Sequence, residues 1–300
     1  MEILLTGGTG YIGGALIGEF VRAGHGVVAL VRSPDKAGDL EQAGVRPIEG
    51  ELNDPDSYRA SASSADAIVH AAFDYATGAR GDAAALDALL GAAASGRPGS
   101  LLYTSGCWVL GDTGDAVAGE DAATDQPAEN VTWRVGHERR VLDAASEALA
   151  TAVIRPGIVY GGSGSLTAPM FETATRNGAA EFIGDGTNHW SLVHLADVAR
   201  LYRAVLEEQA RGVFHAVDGT PLPVGEVAAA ASRAAGAGGA TRSVPQDQAR
   251  EQHGPMADAM CLNQRMAATR SEALGWRPSH ASFVEAAGVA CREWNASRSV

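Results

Sequence analysis

A glycine-rich segment near the beginning of the chain has the residue types and spacing of a phosphate-binding turn. Its sequence is Thr6-Gly7-Gly8-Thr9-Gly10-Tyr11-Ile12-Gly13, between a short apolar run and a helical pattern. Glycine lets backbone N–H groups approach a pyrophosphate, and the N-terminus of the following helix adds partial positive charge. The spacing of glycines 7, 10 and 13 is one residue longer than the common dinucleotide fingerprint. A plain turn is the alternative in a chain with 37 glycines, but the order of strand, turn and helix predicts a dinucleotide site that uses Gly7, Thr9, Gly10, Tyr11, Ile12 and Gly13.

The residues after the second apolar run bear on which dinucleotide binds. Val27–Val31 has the pattern of a buried strand, and Arg32 and Ser33 follow it with no acidic residue before Asp35. A carboxylate at this position accepts a hydrogen bond from the ribose 2′-hydroxyl of NAD, whereas an arginine neutralises the 2′-phosphate of NADP. Arg32 and Ser33 therefore favour NADP over NAD. The alternative interpretation is a solvated arginine beside the start of a helix.

Six apolar runs of strand length alternate with helical patterns in the first part of the chain. The strand-like runs lie at 3–5, 27–31, 45–48, 67–71, 100–103 and 152–154, and the helical patterns at 11–23, 54–63, 80–96 and 131–149. This alternation is typical of a parallel, doubly wound α/β sheet. Later patterns predict helices at 166–177, 194–209, 224–235, 263–274 and 281–294, and a strand at 213–217. We predict a dinucleotide-binding domain at 1–160 and, at 161–300, mainly a smaller substrate-binding region with some segments that return to the main sheet.

The composition argues against several classes of protein. The 300 residues include 23 Lys and Arg against 36 Asp and Glu, a formal charge of −13, and no basic run, which argues against nucleic-acid binding. Apolar stretches are shorter than a membrane span, and three cysteines without a CxxC motif indicate a cytoplasmic protein. Because metal-ligand spacing and a GxSxG motif are lacking, the sequence predicts no metal site and no hydrolase chemistry. A small organic molecule is the expected substrate.

Five motifs carry a resemblance to a known superfamily. They are the glycine-rich turn, Gly50-Glu51-Leu52-Asn53-Asp54, Val69-His70-Ala71-Ala72, Arg155-Pro156-Gly157-Ile158-Val159-Tyr160-Gly161 and Leu274-Gly275-Trp276-Arg277-Pro278. In them the chain resembles the short-chain dehydrogenase/reductase superfamily, specifically its extended branch of epimerases, dehydratases and reductases. The resemblance implies a Rossmann-like sheet and a nicotinamide cofactor. It implies cofactor contacts from Glu51 and Leu52 beside the adenine, from Ala71, Ala72 and Phe73 after the fourth strand, and from Pro156, Gly157 and Val159 after the sixth.

The catalytic pair that the superfamily usually carries is missing from this chain. That pair is Tyr-x-x-x-Lys on one helix, in which the tyrosine passes a proton to the substrate oxygen. Lys36 is the only lysine in the sequence, and it lies near the adenosine end of the predicted site. Alignment of Glu138 with the acid that usually follows the pair places Asn130 and Arg134 at the two positions, and a three-residue shift places Trp133 and His137 there. We prefer the first register, and the alternative for all of these residues is an exposed helix without a catalytic role.

A hydroxyl after the fifth strand is the third catalytic group that the resemblance implies. The family alignment puts Gly106 at that position and Ser105 one residue before it, so Ser105 is the best candidate to hydrogen-bond a substrate oxygen. Ser105, Arg134 and His137 are therefore the candidate catalytic residues. Further candidate proton donors, each with a structural role as the alternative, are His70, Tyr160, His189 and His194.

Three functions fit these observations. The first is an NADP-dependent oxidoreductase that transfers a hydride to or from a small organic molecule without the Tyr–Lys pair. The proton would come from Ser105 with water, from a histidine, or from the substrate itself, and the last option suits an imine or a conjugated enone. The second is an epimerase, dehydratase or cyclase without net redox change on the same scaffold. The third is a non-catalytic dinucleotide sensor. A homodimer is the default assembly that the resemblance implies.

Overall fold

The computed structural model describes residues 1–298, apart from the side chain of Pro34. The strands are β1 (Glu2–Thr6), β2 (Gly26–Val31), β3 (Arg46–Glu49), β4 (Ala67–His70), β5 (Ser100–Thr104), β6 (Val117–Ala118), β7 (Ala150–Pro156), β8 (Ile158–Tyr160), β9 (Ala180–Ile183), β10 (His189–Trp190), β11 (Leu192–His194), β12 (Gly212–Ala216), β13 (Leu222–Pro223), β14 (Thr241–Val244) and β15 (Arg265–Met266). The α-helices are α1 (Tyr11–Arg22), α2 (Ala37–Gln42), α3 (Arg59–Ser64), α4 (Gly78–Ser95), α5 (Thr132–Asp143), α6 (Ala168–Asn177), α7 (Leu195–Glu207), α8 (Val224–Ala234), α9 (Gln246–His253), α10 (Pro255–Met260), α11 (Thr269–Ala273) and α12 (Phe283–Ser297). Short 3₁₀ helices lie at Pro34–Lys36, Pro55–Ser57, Cys107–Leu110 and Glu129–Val131.

The chain divides into two compact units, each built from separate segments of sequence. The first unit contains Met1–Ser105, Gly136–Ile154 and Ala199–Phe214. The second contains Gly106–Val135, Arg155–Val198 and the described residues from 215 to 298.

The first unit is built on a seven-stranded sheet with the order β12-β7-β5-β4-β1-β2-β3. The pairs from β7 through β5, β4, β1 and β2 to β3 are parallel. The chain moves outward from β1 in one direction through β2 and β3 and in the other through β4 and β5. Ligands of such sheets bind outside the carboxyl ends of the strands, where this direction changes. The predicted Rossmann-like, doubly wound α/β fold is confirmed.

Continuous apolar strands and one-sided helices account for the core of this unit. In β1 the side chains of Ile3, Leu4 and Leu5 are all fully buried, as expected for a parallel sheet that helices cover on both faces. Helix α1 packs through Leu16 and Phe20, which are spaced by about one turn and are fully buried.

The second unit contains two-stranded pairs and helices. The pairs are β6 with β15, β8 with β11, β9 with β14, and β10 with β13. The buried carboxylate of Asp197 accepts hydrogen bonds from Ser279 and from the backbone N–H of His280, and the Gln264 amide donates to the carbonyls of Cys107 and Gly111. Long-range polar contacts of this kind fix the loops of the second unit.

Several element boundaries differ from those that the sequence predicts. The helix expected at 131–149 ends at Asp143, and a tight turn precedes β7. The prediction of one helix at 263–274 is wrong, because residues 265–266 form β15 and only residues 269–273 of that range are helical. Helices α9 and α10 were not predicted. In residues 1–298, every helix is too short or too polar to cross a bilayer.

Candidate functional site

A cavity of about 440 Å³ lies in the first unit, at the carboxyl ends of its central strands. The predicted cofactor-binding residues that line it are Gly7, Thr9, Gly10, Tyr11, Ile12, Arg32, Glu51, Leu52, Ala71, Ala72 and Phe73. Gly13 and Ser33 lie outside this lining. Leu30, Gly50, Asn53, Asp74 and Tyr75 also line it and were not among the predicted residues. The turn, the end of β2, the loop after β3 and the loop after β4 therefore meet at one cavity.

The glycine-rich turn approaches its neighbours too closely for side chains. Gly7 has a φ of +80°, and a Cβ there would lie 2.6 Å from the carbonyl oxygen of Ala71. A Cβ on Gly13 would overlap the carbonyl oxygen of Gly7, and the Gly10 N–H donates to that same oxygen at 2.8 Å. The backbone of the turn therefore lies close to the loop after β4 and to the first turn of α1, and only glycine fits at positions 7 and 13.

The N-terminus of α1 lies at this cavity. The helix begins at Tyr11, directly after Gly10, which has no side chain with which to cap the first amides. Tyr11 and Ile12 line the cavity themselves. The backbone amides of a helix N-terminus and the positive end of the helix dipole suit a phosphate at this position. The cavity therefore fits the pyrophosphate of a dinucleotide.

Residues at the other end of the cavity differ in exposure. Arg32 and Glu51 are exposed, whereas Leu52 is buried and its carbonyl accepts a hydrogen bond from Tyr58 Oη at 3.1 Å. Ser33 Oγ accepts from the backbone N–H of Asp35 at 3.3 Å. Arg32 is thus the cationic side chain that lines this cavity, and it stands directly after β2.

The remaining predicted cofactor residues belong to the second unit. Pro156 ends β7, and the Gly157 N–H donates to the carbonyl oxygen of Ala216 at 2.9 Å. Val159 lies in β8 opposite Val193 of β11. Contact between these residues and a cofactor stays a prediction.

Two of the candidate catalytic residues lie at the ends of secondary structure. Ser105 follows β5, is 9% exposed, and its Oγ has no hydrogen-bond partner among the described residues. Arg134 lies in the first turn of α5, with its guanidinium 4.4 Å from the ring centroid of Trp133. Asn130, its partner in the preferred register, is in the 3₁₀ helix before α5. The expected arrangement, two side chains four residues apart on one α-helix, is met by Trp133 and His137 of the other register.

The third candidate, His137, is part of a buried polar cluster in the first unit. Its Nδ1 lies 2.7 Å from Oδ2 of Asp82, which also accepts a hydrogen bond from Tyr103 Oη at 2.8 Å. Oδ1 of Asp82 lies 3.3 Å from Nε2 of His70, and Nδ1 of His70 is 2.7 Å from Oγ1 of Thr6. We call these five residues the Asp82 cluster.

Sequence reasoning did not single out Asp82, although the sequence contains a signal for its burial. It lies on α4 and shares the buried face of that helix with Ala85, Leu86 and Leu89. A carboxylate on an apolar helix face needs buried partners. Burial opposes ionisation of Asp82, but hydrogen bonds from His137 and from the neighbouring His70 and Tyr103 outweigh it and lower the pKa of the carboxyl. The cluster therefore contains a carboxylate anion at neutral pH.

The other predicted proton donors, Tyr160, His189 and His194, lie in the second unit. Burial raises the pKa of Tyr160, and the charges of Asp218 and Asp197 raise it further, so its hydroxyl is a poor acid. Burial lowers the pKa of His194, although Glu293, 3.1 Å from its Nε2, opposes this. The backbone N–H of His189 donates to Asn263 Oδ1 at 2.8 Å, and the ring Nδ1 lies 3.2 Å from the same oxygen. These contacts are consistent with structural roles.

Comparison with known proteins gives matches along most of the chain. Residues 3–217 match the NAD dependent epimerase/dehydratase family. The chain is 30% identical over 292 residues to an uncharacterized protein of Schizosaccharomyces pombe, an alignment that covers 95% of this chain and 97% of that protein. It is 29% identical over 244 residues to 2-alkyl-3-oxoalkanoate reductase of Stenotrophomonas maltophilia, covering 76% of this chain and 73% of the reductase.

Solved structures share the fold. A dTDP-glucose 4,6-dehydratase double mutant from Streptomyces venezuelae, with NAD bound, superimposes with a TM-score of 0.83 at 20% identity and covers 100% of this chain and 98% of its own. The predicted resemblance to the extended short-chain dehydrogenase/reductase branch is confirmed. These matches, together with the cavity, support a nicotinamide dinucleotide as the cofactor.

Proposed function

Because the chain belongs to the NAD dependent epimerase/dehydratase family, we propose that it is an NADP-dependent oxidoreductase that transfers a hydride to or from a small organic molecule. The observation that carries this proposal is the cavity that brings the glycine-rich turn together with Arg32. The similarity to a 2-alkyl-3-oxoalkanoate reductase supports redox chemistry. When bound, the cofactor supplies or accepts the hydride. Residues of the chain must bind the substrate and donate or accept the one proton that accompanies hydride transfer.

The preference for NADP rests on Arg32. The end of β2 carries this exposed guanidinium and no carboxylate, and a guanidinium binds the 2′-phosphate through charge-assisted hydrogen bonds. The acidic residues of the cavity lining are Glu51, which follows β3, and Asp74, which follows β4; neither follows β2.

Replacement of Arg32 tests this preference. We expect Arg32→Ala to weaken NADPH binding about tenfold to a hundredfold, since a hydrogen bond to a charged group contributes about 1.5–3 kcal/mol, and to leave NADH binding unchanged. Isothermal titration calorimetry of both cofactors gives the measurement. Arg59→Ala is the matched control, because Arg59 is an exposed arginine of the first unit that pairs with Asp56. Tighter binding of NADH than of NADPH by the wild-type protein would contradict the proposal.

Proton transfer must use groups other than a lysine. Lys36, the only lysine, is exposed in the 3₁₀ helix before α2. Ser105 can hydrogen-bond a substrate oxygen, and His137 is a histidine with a fixed orientation. Arg134 can orient an anion but hardly releases a proton at neutral pH. A carbonyl, imine or conjugated enone is the expected class of substrate.

A substrate panel tests the redox reaction itself. A 3-oxo acid, an imine and a conjugated enone are incubated with NADPH, and nicotinamide absorbance is followed with time. We expect stoichiometric loss of NADPH with at least one of them. Product formation without a change in absorbance would instead establish a non-redox epimerase, dehydratase or cyclase, and NADPH binding without turnover on any substrate would favour a sensor.

A further inference from the structure

We propose that Asp82 is the positioning residue for His137, and that His137 exchanges the proton that accompanies hydride transfer. This inference rests on the proposed oxidoreductase function. It assigns to the Asp82 cluster the role that the absent Tyr–Lys pair would fill.

The first argument is the orientation of His137. Its Nδ1 lies 2.7 Å from a carboxylate oxygen of Asp82, and a carboxylate only accepts hydrogen bonds. The proton on Nδ1 is therefore fixed, and in the neutral ring Nε2 is left as the basic nitrogen. A histidine with a defined tautomer and a defined direction has the geometry of a general acid or base.

The second argument is exposure within the cluster. The side chains of Asp82 and His70 are 1% and 0% exposed, whereas that of His137 keeps 10% of its surface. His137 is thus the histidine of the cluster whose side chain keeps some exposed surface. Asp82 places a carboxylate beside the His137 ring without being itself accessible to solvent.

The third argument is that the carboxylate is held from three sides. Tyr103 donates to the same oxygen as His137, and His70 lies beside the other oxygen. His70 in turn contacts Thr6, the last residue of β1, which is followed by the glycine-rich turn. A continuous chain of polar contacts, from His137 through Asp82 and His70 to Thr6, therefore connects His137 to the strand that precedes the glycine-rich turn.

The proton balance of the reduction follows from these positions. The N–H bond at Nε2 of the His137 imidazolium breaks, and an O–H or N–H bond forms on the substrate atom that becomes anionic when its carbon receives the hydride. The ring is left neutral, with the proton still on Nδ1 and donated in a hydrogen bond to the Asp82 carboxylate. Water then returns a proton to Nε2, and Asp82 remains ionised throughout.

A double-mutant cycle separates this role from a purely structural one. Asp82→Asn should lower kcat by about 10²-fold, the lower end of the usual contribution of general acid–base catalysis, with NADPH affinity unchanged. In a His137→Ala background the same change should cost nothing further, because residues that act as a unit are non-additive. Asp87→Asn is the control, since Asp87 is an exposed aspartate of α4 that pairs with Arg140 of α5.

A spectroscopic arm needs no substrate and therefore tests the inference even if no redox turnover is found. ¹⁵N spectra of histidine-labelled protein should show the His137 proton on Nδ1 in the wild type and a changed signal in Asp82→Asn. If that variant does not fold, Tyr103→Phe should shift the His137 Nδ1 signal, whereas Tyr58→Phe, which removes another buried hydroxyl of this unit, should not.

Two results would overturn the inference. One is additive losses of kcat for Asp82→Asn and His137→Ala, which would indicate that Asp82 acts independently of His137. The other is a proton on Nε2 rather than Nδ1 in the neutral wild-type ring.

Discussion

Asp82 is a buried carboxylate on a helix that otherwise packs through alanine and leucine. Its place on the apolar face of α4 could be predicted from the spacing of the residues around it. Its partners could not, because His137 is 55 residues away along the chain and the contact exists only after α4 and α5 have packed. The absence of a Tyr–Lys pair, in contrast, follows from the single lysine alone.

Acid stability is a prediction that belongs to this residue. The pKa of Asp82 is lower in the folded protein than in the unfolded chain. Ionised Asp82 therefore stabilises the fold at pH values above its pKa in the unfolded chain, which is about 4. That contribution is lost as pH falls through the folded-state pKa. Asp82→Asn should therefore lower the free energy of unfolding by about 3 kcal/mol at neutral pH, with a smaller difference from wild type in acid.

Urea unfolding at about pH 7 and about pH 3 measures both differences. Asp87→Asn should follow the wild-type curve, because ion pairs of exposed side chains contribute little. An Asp82→Asn deficit that is the same at both pH values would show that charge is not what stabilises the cluster.

At the scale of elements, local patterns were sufficient for the sheet and insufficient for the second unit. The strands of the sheet are short continuous apolar runs, which parallel sheets require because both faces are covered. Helix α9 could not be found this way, since Ala249 is its only buried residue and it has no apolar stripe. Residues 263–274 have a helical composition, but the Gln264 side chain binds two distant carbonyls and β15 pairs with β6.

Contact between α1 and the glycine-rich turn gives a prediction at this scale. A Cβ on Gly13 would overlap the carbonyl oxygen of Gly7, whereas the nearest atom to a Cβ on Gly14 is 3.8 Å away. We expect Gly13→Ala to destabilise the protein by about 1–3 kcal/mol and to weaken NADPH binding. Gly14→Ala, on the same helix, should stabilise it by up to about 1 kcal/mol through helix propensity.

Thermal unfolding and NADPH titration of the two variants provide the comparison. Equal stability of Gly13→Ala and Gly14→Ala would mean that the close approach of α1 to the turn is not required.

At the scale of the molecule, two buried groups of the second unit give opposite pH dependences. Burial lowers the pKa of His215 to about 4, and burial also raises the pKa of Asp218 to about 7. Below its unfolded pKa of about 6.5, His215 binds a proton more readily in the unfolded chain, so its contribution to stability falls as pH decreases. Asp218 binds a proton more readily in the folded chain, so its contribution falls as pH rises from about 4 to 7.

Replacement of Asp218 tests its contribution to the pH dependence of stability. Asp218→Asn keeps an oxygen that can accept the hydrogen bond from the Thr220 N–H and removes the carboxyl titration. We expect this variant to gain about 1–3 kcal/mol of stability near pH 8 and to lose that gain by about pH 4, the unfolded pKa of an aspartate. Asp125→Asn, at an exposed position of the same unit, should change neither the stability near pH 8 nor its dependence on pH. A gain that is independent of pH would contradict this assignment.

The reaction itself is tested most directly by isotope transfer. The wild-type protein is incubated with NADPH that carries deuterium at the transferable position and with each substrate of the panel, and the products are analysed by mass spectrometry. An NADP-dependent oxidoreductase predicts one deuterium on the reduced carbon of a product, at a higher rate from deuterated NADPH than from deuterated NADH. Turnover of a substrate without deuterium in its product, or faster transfer from NADH, would contradict it.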